Sequence, residues 1–337
     1  MPVSPSFVHL FPSSPLPLFP SSPLPVYHQS MHIVSASRRT DIPAFYSPWL
    51  MNRLREGYAL VPNPFNPRQV SRVDLRPERV ACLVLVTKDP RPMLPHLDEL
   101  EERGFRFLFQ VTVTGLPRFL EPGVPDTAAV TAAVRQIAGR IGRGRVAWRF
   151  DPILLAGSET ADAPNSAFRT IAKQLEGSVD KVIVSFAREY ATVKSRLHAM
   201  GKEVTFLGPD PHLKERVAAD LAEEAARHRM VIQSCAEPHP LSPFGIAPGK
   251  CIDTDQIREL FGVEFRASKA QGQRTDCLCA RSADIGIYGT CPHRCLYCYA
   301  SCDATLRRGE IHDPLQPALL SGIKRPGDLH PALLPGC

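Results

Sequence analysis

The sequence predicts an α/β fold: a (β/α) barrel of the TIM-like kind, complete or partial, followed by a cysteine-rich C-terminal region. Three observations predict it. Short β-branched runs alternate with helical periods from Met31 to about residue 234, a pattern that calls for parallel strands joined by right-handed crossovers. Polar and charged residues follow strand after strand, as they do where barrel strands converge on one functional face; an open sheet would spread them along an edge. At residue 235 the alternation stops, and eight of the ten cysteines fall between Cys235 and Cys302.

The chain up to residue 30 is of low complexity: FPSSPLP occurs at 11–17 and again at 19–25, and the first charged side chain is Arg38. This stretch is expected to be a disordered leader, with Met31 opening the folded chain. It lacks the basic segment and unbroken apolar run of a secretory signal, and its repeated prolines suit no membrane helix. A cytoplasmic location is expected. The strands expected next are His32–Ala36, Val80–Val86, Arg106–Val113, Arg145–Phe150, Lys181–Phe186 and Met230–Gln233, with Glu203–Leu207 a weaker one. Their ends carry Ser35 to Asp41, Thr87-Lys88-Asp89, Thr112 with Thr114, Arg149 with Asp151, Ser185, and Gln233 to Cys235.

Helices fill the gaps. Ser47 and Pro48 suit an N-cap and first helical residue, and Gly57 a stop. Asp126 is placed to cap a segment whose Val130, Val134, Ile137 and Ile141 share a face, and Tyr190, Val193, Leu197 and Met200 repeat the pattern before Gly201. Leu213, Val217 and Leu221 mark a further helix, and Thr254–Phe261 a short one. The expected division is a leader at 1–30, the barrel at 31–234, a metal-organised region at 235–305 and a tail at 306–337.

Composition limits function. With 44% hydrophobic and 22% charged residues the chain is ordinary for a soluble protein, and a net charge of +6 permits an anionic ligand without implying nucleic acid. No basic run interleaved with aromatics suggests nucleic acid. The glycines of Gly139 to Gly144 end a helix and make no phosphate loop. In a reducing compartment, closely spaced cysteines read as metal ligands rather than disulfides.

The strongest motif is Gly289-Thr-Cys291-Pro-His-Arg-Cys295-Leu-Tyr-Cys298-Tyr-Ala300. Three thiolates spaced C-x3-C-x2-C can hold three corners of a four-iron, four-sulfur cluster and leave one iron open. A zinc site prefers four ligands, often in paired C-x2-C knuckles. The motif resembles that of the radical S-adenosylmethionine enzymes, which place an aromatic residue before the last cysteine, here Tyr297. The resemblance implies a [4Fe-4S] cluster on Cys291, Cys295 and Cys298, with Tyr297 beside the cofactor. It also implies S-adenosylmethionine on the open iron and reductive release of a 5′-deoxyadenosyl radical. In those enzymes the motif follows the first barrel strand, so the cluster loop here is expected to fold back onto an upstream barrel in permuted order. Cys302 is a fourth cysteine close by; as a ligand it would close the cluster.

Cys235, Cys251, Cys277 and Cys279 form a second complete ligand set by count, expected to hold an auxiliary [4Fe-4S] cluster, with structural zinc and plain buried thiols as alternatives. Cys235 follows a strand and would tie this set to the strand ends. From Met31 the sequence is also similar to the family called domain of unknown function 1848. The likeness lies in Ser35 to Tyr46, Asn63-Pro-Phe-Asn-Pro67, Arg149-Phe-Asp-Pro-Ile153, Ser234 to Glu237, Lys250 to Asp253, Cys277-Leu-Cys279 and Cys291 to Cys298. It implies an iron–sulfur protein related to radical S-adenosylmethionine enzymes and names no substrate.

Candidate substrate residues are Arg38, Arg39 and Asp41, where one arginine could grip an anion while the other pairs with Asp41. Arg149 and Asp151 flank Phe150 on one side of a strand and can form an inward ion pair; Lys88 is a further candidate. His239 and His293 were weighed as ligands, His293 being expected to face solvent. These features add up to an enzyme acting on a small anionic or zwitterionic substrate, fed electrons by a reductant such as ferredoxin or flavodoxin. The alternatives are a non-catalytic iron–sulfur electron carrier and a zinc-stapled binding module.

Overall fold

A computed structural model describes residues 31–156, 162–199, 201, 204–205, 210–301 and 312–320. The expected leader, Cys302, Cys337, Met200 and most of the expected tail lie outside them. The chain opens with β1 (His32–Ala36), α1 (Ile42–Phe45) and α2 (Ser47–Glu56), which Gly57 stops in the left-handed conformation at φ 78°. A hairpin of β2 (Tyr58–Asn63) and β3 (Asn66–Asp74) follows. Next come β4 (Val80–Thr87), α3 (Leu97–Glu102), β5 (Phe107–Thr112), α4 (Thr127–Ile141), β6 (Val146–Ile153) and β7 (Leu155–Ala156). After α5 (Asp162–Leu175), β8 (Lys181–Phe186), α6 (Ala191–Ala199), β9 (Val204–Thr205) and α7 (Pro211–Arg227), the chain reaches β10 (Val231–Cys235). The last elements are β11 (Ala247–Gly249), α8 (Thr254–Phe261) and β12 (Ser282–Asp284).

Eight of the strands form one parallel sheet in the order β11, β10, β8, β6, β5, β4, β1, β12. From β1 to β10 each strand lies beside the next sheet strand in sequence, which is the connectivity of a singly wound fold. The sheet does not close: among the described residues β11 and β12 each pair with one neighbour, so the fold is an α/β protein with a large parallel sheet. Both ends of the sheet come from beyond residue 235, and the cysteine-rich region is thereby built into the same sheet as the expected barrel.

The two faces of the sheet are covered differently. Strands such as FLFQVT of β5 are buried on both faces, as parallel strands must be. On one face Val34, Leu83, Phe107, Phe109, Trp148 and Val184 pack with α2, α4, α5 and α7. On the other, Ile33, Val84, Leu108 and Ile183 meet Cys235, Cys251, Ile252, Ile257 of α8, Phe265, Cys277 and Cys279. The cysteine-rich region therefore serves as the second covering layer, which is why it needs little periodic apolar sequence of its own.

Several expectations change in detail. Val204–Thr205 pairs antiparallel with β7 outside the main sheet, so the weak strand at 203–207 is not part of it. Ser47 is the first residue of α2 rather than its cap, and Tyr46 holds the cap position. Tyr190 precedes α6 and is exposed, whereas Val193 and Leu197 are buried. Residues 312–320 are no loose tail. Trp49 Nε1 donates to Gln316 O at 3.0 Å, Arg53 to Leu315 O at 3.0 Å, and Ala318, Leu319 and Leu320 are buried. No helix among the described residues is long and apolar enough to cross a membrane.

Candidate functional site

The C-terminal strand ends open into a cavity of about 430 Å³ lined by all seven candidate ligands, Cys235, Cys251, Cys277, Cys279, Cys291, Cys295 and Cys298. Arg38, Arg39, Asp41, Lys88, Arg149, Asp151 and Tyr297 line the same cavity. The seven cysteines and the seven residues just named thus lie on one wall or another of a single chamber; His239 does not line it, and Cys302 lies outside the described residues.

The loop carrying Cys291, Cys295 and Cys298 leaves the end of β12, which pairs in parallel with β1. Asp284, the last residue of β12, fixes this junction. Its Oδ1 accepts from Ser37 Oγ at 2.7 Å and from the Gly286 amide at 3.0 Å, and its Oδ2 from the Arg38 amide at 2.8 Å. Gly286 permits that approach, because a Cβ there would lie 2.0 Å from Ser37 Oγ.

A second clamp comes from the segment after β5. The Leu296 amide donates to Leu120 O at 2.9 Å and the Gly123 amide to His293 O at 3.0 Å. A Cβ on Gly123 would meet Pro292 O at 2.7 Å and His293 Cα at 2.8 Å. Glu121 Oε1 accepts from Lys88 Nζ at 2.7 Å, from Thr114 Oγ1 at 2.8 Å and from the Tyr297 hydroxyl. From α6, Arg196 donates to the carbonyls of Leu296, Cys298 and Ser301. Three separate elements hold the cysteine loop by its backbone, leaving its thiols for the cavity.

The electrostatics follow from burial. Burial opposes charge on both Lys88 and Glu121, but their mutual attraction prevails: Lys88 is shifted upward and Glu121 downward, so both stay ionised. Burial pushes the Cys291 thiol up to about 12 and raises Cys295 well above the ordinary range. The Tyr297 phenol is likewise held protonated by burial. Such thiols need a cation to become thiolates.

The second set is more compact. Cys235 and Cys251 sulfurs lie 3.0 Å apart, and the Cys251 amide donates to Cys279 Sγ at 3.2 Å. Hydrogen bonding from Cys279 lowers Cys277 to about 6, and contact with Cys235 lowers Cys279 to about 6. Arg149 donates to Cys251 Sγ at 2.6 Å, to Gln110 Oε1 at 3.1 Å and to Asp151. The expected pair of Arg149 and Asp151 forms, and it faces the second cysteine set.

Other expectations are corrected. Asp41 pairs with neither arginine: Arg38 pairs with Asp284 at 3.5 Å, and Arg39 lies over the Tyr288 ring. Asp41 instead caps α1 through Ala44 N, accepts the Lys88 amide at 2.7 Å and meets His293. His293 is buried rather than solvent-facing, and His239 faces Glu215 at 3.1 Å, away from the cysteines. Glu121, Gly123, Gln110, Arg196 and Arg274 were not singled out from sequence. All but Arg274, three positions before Cys277, lie far in the chain from the cysteines, and only the strand-end position of the nearby Thr112 and Thr114 hinted at the Glu121 segment.

Among the described residues no three His, Cys, Asp or Glu side chains surround one point as they would around a bound ion. The donor chemistry is still that of a thiolate site: seven free cysteines, most of them buried, on one chamber. Hard oxygen donors suited to magnesium or calcium are engaged elsewhere, Glu121 with Lys88 and Asp151 with Arg149. The residues fit soft-metal groups of the iron–sulfur or zinc kind.

The fold and cavity together define a parallel α/β protein with a thiol-lined chamber at its strand ends. Residues 33–300 match the family described as domain of unknown function (DUF1848), and the chain belongs to that family. No curated protein matches the chain.

Proposed function

We propose that the protein is an iron–sulfur enzyme of the radical S-adenosylmethionine type, with Cys291, Cys295 and Cys298 holding a cluster that leaves one iron open. The observation that carries this reading is the place of the C-x3-C-x2-C loop. It leaves the end of β12, and β12 precedes β1 in the sheet although it follows it in the chain. In spatial order the loop follows the edge strand, which supports the permuted order that the sequence raised. The open sheet is then read as a partial barrel whose concave face is filled by the cysteine-rich region.

When bound, the open cluster and S-adenosylmethionine would supply reductive cleavage to a 5′-deoxyadenosyl radical. The chain's own part is to seat and shield them. Gly123, Leu120 and Arg196 hold the loop by its backbone, Lys88 with Glu121 places a neutralised pair next to Cys295 and Tyr297, and the enclosing strand ends limit water. Tyr297, engaged through its hydroxyl with Glu121, keeps its ring fixed for contact with the cofactor. A cytoplasmic location and an external reductant such as ferredoxin or flavodoxin belong to the same reading.

Cys235, Cys251, Cys277 and Cys279 are proposed to hold a second metal group. The sequence suggested a second four-iron cluster. The 3.0 Å spacing of two of its sulfurs favours one tetrahedral ion, whose ligand sulfurs stand roughly 4 Å apart at metal–sulfur bonds of about 2.3 Å. Anaerobic purification with iron, sulfide and zinc analysis separates these cases. Dithionite reduction with S-adenosylmethionine then tests the main reading. The expected product is 5′-deoxyadenosine, absent from the Cys298→Ala variant. No product above that variant overturns the enzyme and leaves an electron carrier; a colourless protein with stoichiometric zinc leaves the binding module.

A further inference from the structure

Among the described residues, one cation of the cavity is left without an acceptor. Lys88 is paired with Glu121, Arg38 with Asp284, Arg149 with Asp151 and Arg188 with Asp276. Arg39 spends its guanidinium on the face of Tyr288, 5.5 Å from the ring centre, and on Gly286 O. Arg274 also lines the cavity, and among the described residues its side chain has neither an ion pair nor a hydrogen bond. It is half-buried within electrostatic reach of Cys235, Asp151 and Tyr190. That places it near the second cysteine set.

The same cavity holds a row of tyrosines. The Tyr190 and Tyr299 rings are 5.9 Å apart between centres, and Tyr299 and Tyr288 are 6.4 Å apart. All three line the cavity, yet Tyr190 is 37% and Tyr299 52% exposed. Adjoining aromatic rings left in water at a cavity mouth mark a surface that a flat apolar body covers. A guanidinium with free donors in the same cavity as such a row suits a planar anion, carboxylate or phosphate, gripped through two N–H groups.

We propose that the cavity mouth binds a small aromatic or heteroaromatic anion. Its ring lies against Tyr190 and Tyr299, and its carboxylate or phosphate sits on Arg274. This assignment rests on reading the cavity as an active site and names the class of its substrate. Discrimination comes from both features together: a ring without charge leaves Arg274 unpaired, and an anion without a ring leaves the tyrosines wet.

The test is isothermal titration of the purified full chain with its native metal content, without S-adenosylmethionine or reductant. The probes are phenyl phosphate and benzoate, compared with inorganic phosphate, which lacks the ring, and benzyl alcohol, which lacks the charge. The expected result is one site per chain for a ring-bearing anion, at least about tenfold tighter than either fragment, weakened about tenfold by Arg274→Gln and by Tyr190→Ala. Tighter phenyl phosphate assigns a phosphate, tighter benzoate a carboxylate. Both substitutions fall at positions that are at least partly exposed, and circular dichroism and metal content verify that each variant is folded. The proposal is overturned if neither ring-bearing anion outbinds the fragments, or if both variants bind within twofold of the parent chain. The titration needs no cleavage of S-adenosylmethionine, so its failure is distinguishable from failure of the enzyme reading.

Discussion

His293 Nε2 stands 2.9 Å from Asp41 Oδ2, although 252 positions separate them in the chain. The other ring nitrogen, Nδ1, lies 2.9 Å from Gly123 O. The ring therefore bridges the segment after β1, the segment after β5 and the cysteine loop at one buried point. Replacing Asp41 with Ala leaves a buried ring donor unpaired and uncaps α1. The expected loss is about 3 kcal/mol of stability in urea unfolding, with reduced metal retention. An unchanged midpoint would remove this contact from the account of the site.

Gly123 is the second point of that junction. In Gly123→Ala the new methyl meets backbone atoms of Pro292 and His293 at 2.7 to 2.9 Å, and backbone gives way less easily than a side-chain end. The expected outcome is a loss of about 2 kcal/mol together with loss of the metal proposed for Cys291, Cys295 and Cys298. Metal analysis beside far-ultraviolet circular dichroism measures both, and a variant with full metal content would contradict the clamp.

Glu121 and Lys88 predict a pH dependence. Glu121 titrates below its ordinary value in the folded chain, so its contribution is complete above about pH 4.5 and is lost as pH falls through the depressed value. Lys88 is shifted upward, so its contribution is complete below about pH 10.5 and is lost as pH rises through the raised value. Glu121→Gln is therefore expected to be about 3 kcal/mol less stable than the parent between these limits. The gap should narrow in acid, where the parent glutamate is itself neutral. Thermal melts from pH 3 to pH 8 check this; a gap that is constant into acid would mean that the loss comes from packing alone.

Cys82 offers the opposite contrast. It is fully buried in β4, and burial pushes its thiol up to about 12. Cys82→Ala is expected to cost about 1 kcal/mol and to leave metal content unchanged, because the residue packs as a small apolar side chain. Cys298→Ala should lose metal with less effect on the sheet. Equal metal loss in the two variants would break the division of cysteines argued above.

Much of the sheet could be read from its β-branched runs. β1 and β8 begin and end where the sequence places them, and β4, β5, β6 and β10 shift by a few residues at their ends. The hairpin of β2 and β3 was hidden by Pro62, Pro64 and Pro67, which read as loop, although Pro62 pairs with Val70 across it. β12 was missed because three residues, Ser-Ala-Asp, carry no strand periodicity; its pairing with β1 is a tertiary choice made by Asp284 and Ser37. The cysteine sets were legible from spacing because thiols are rare and chemically distinctive. The residues that hold them in place, such as Glu121 and Arg196, were not, since a lone acid or base in a loop looks the same whether it faces water or a buried partner.

The position of β12 has a consequence for how the protein is made. On the ribosome β1 emerges well before its outer neighbour, which is encoded some 250 residues later. Until then the edge of β1 stays unpaired, and an open edge invites association with other nascent chains. The cysteine loop leaves the ribosome just after the strand that seals this edge. Delivery of the proposed metal and the end of the vulnerable period then coincide, so a shortage of that metal during synthesis is expected to show first as aggregation of new chains and only afterwards as a shortfall in the proposed activity.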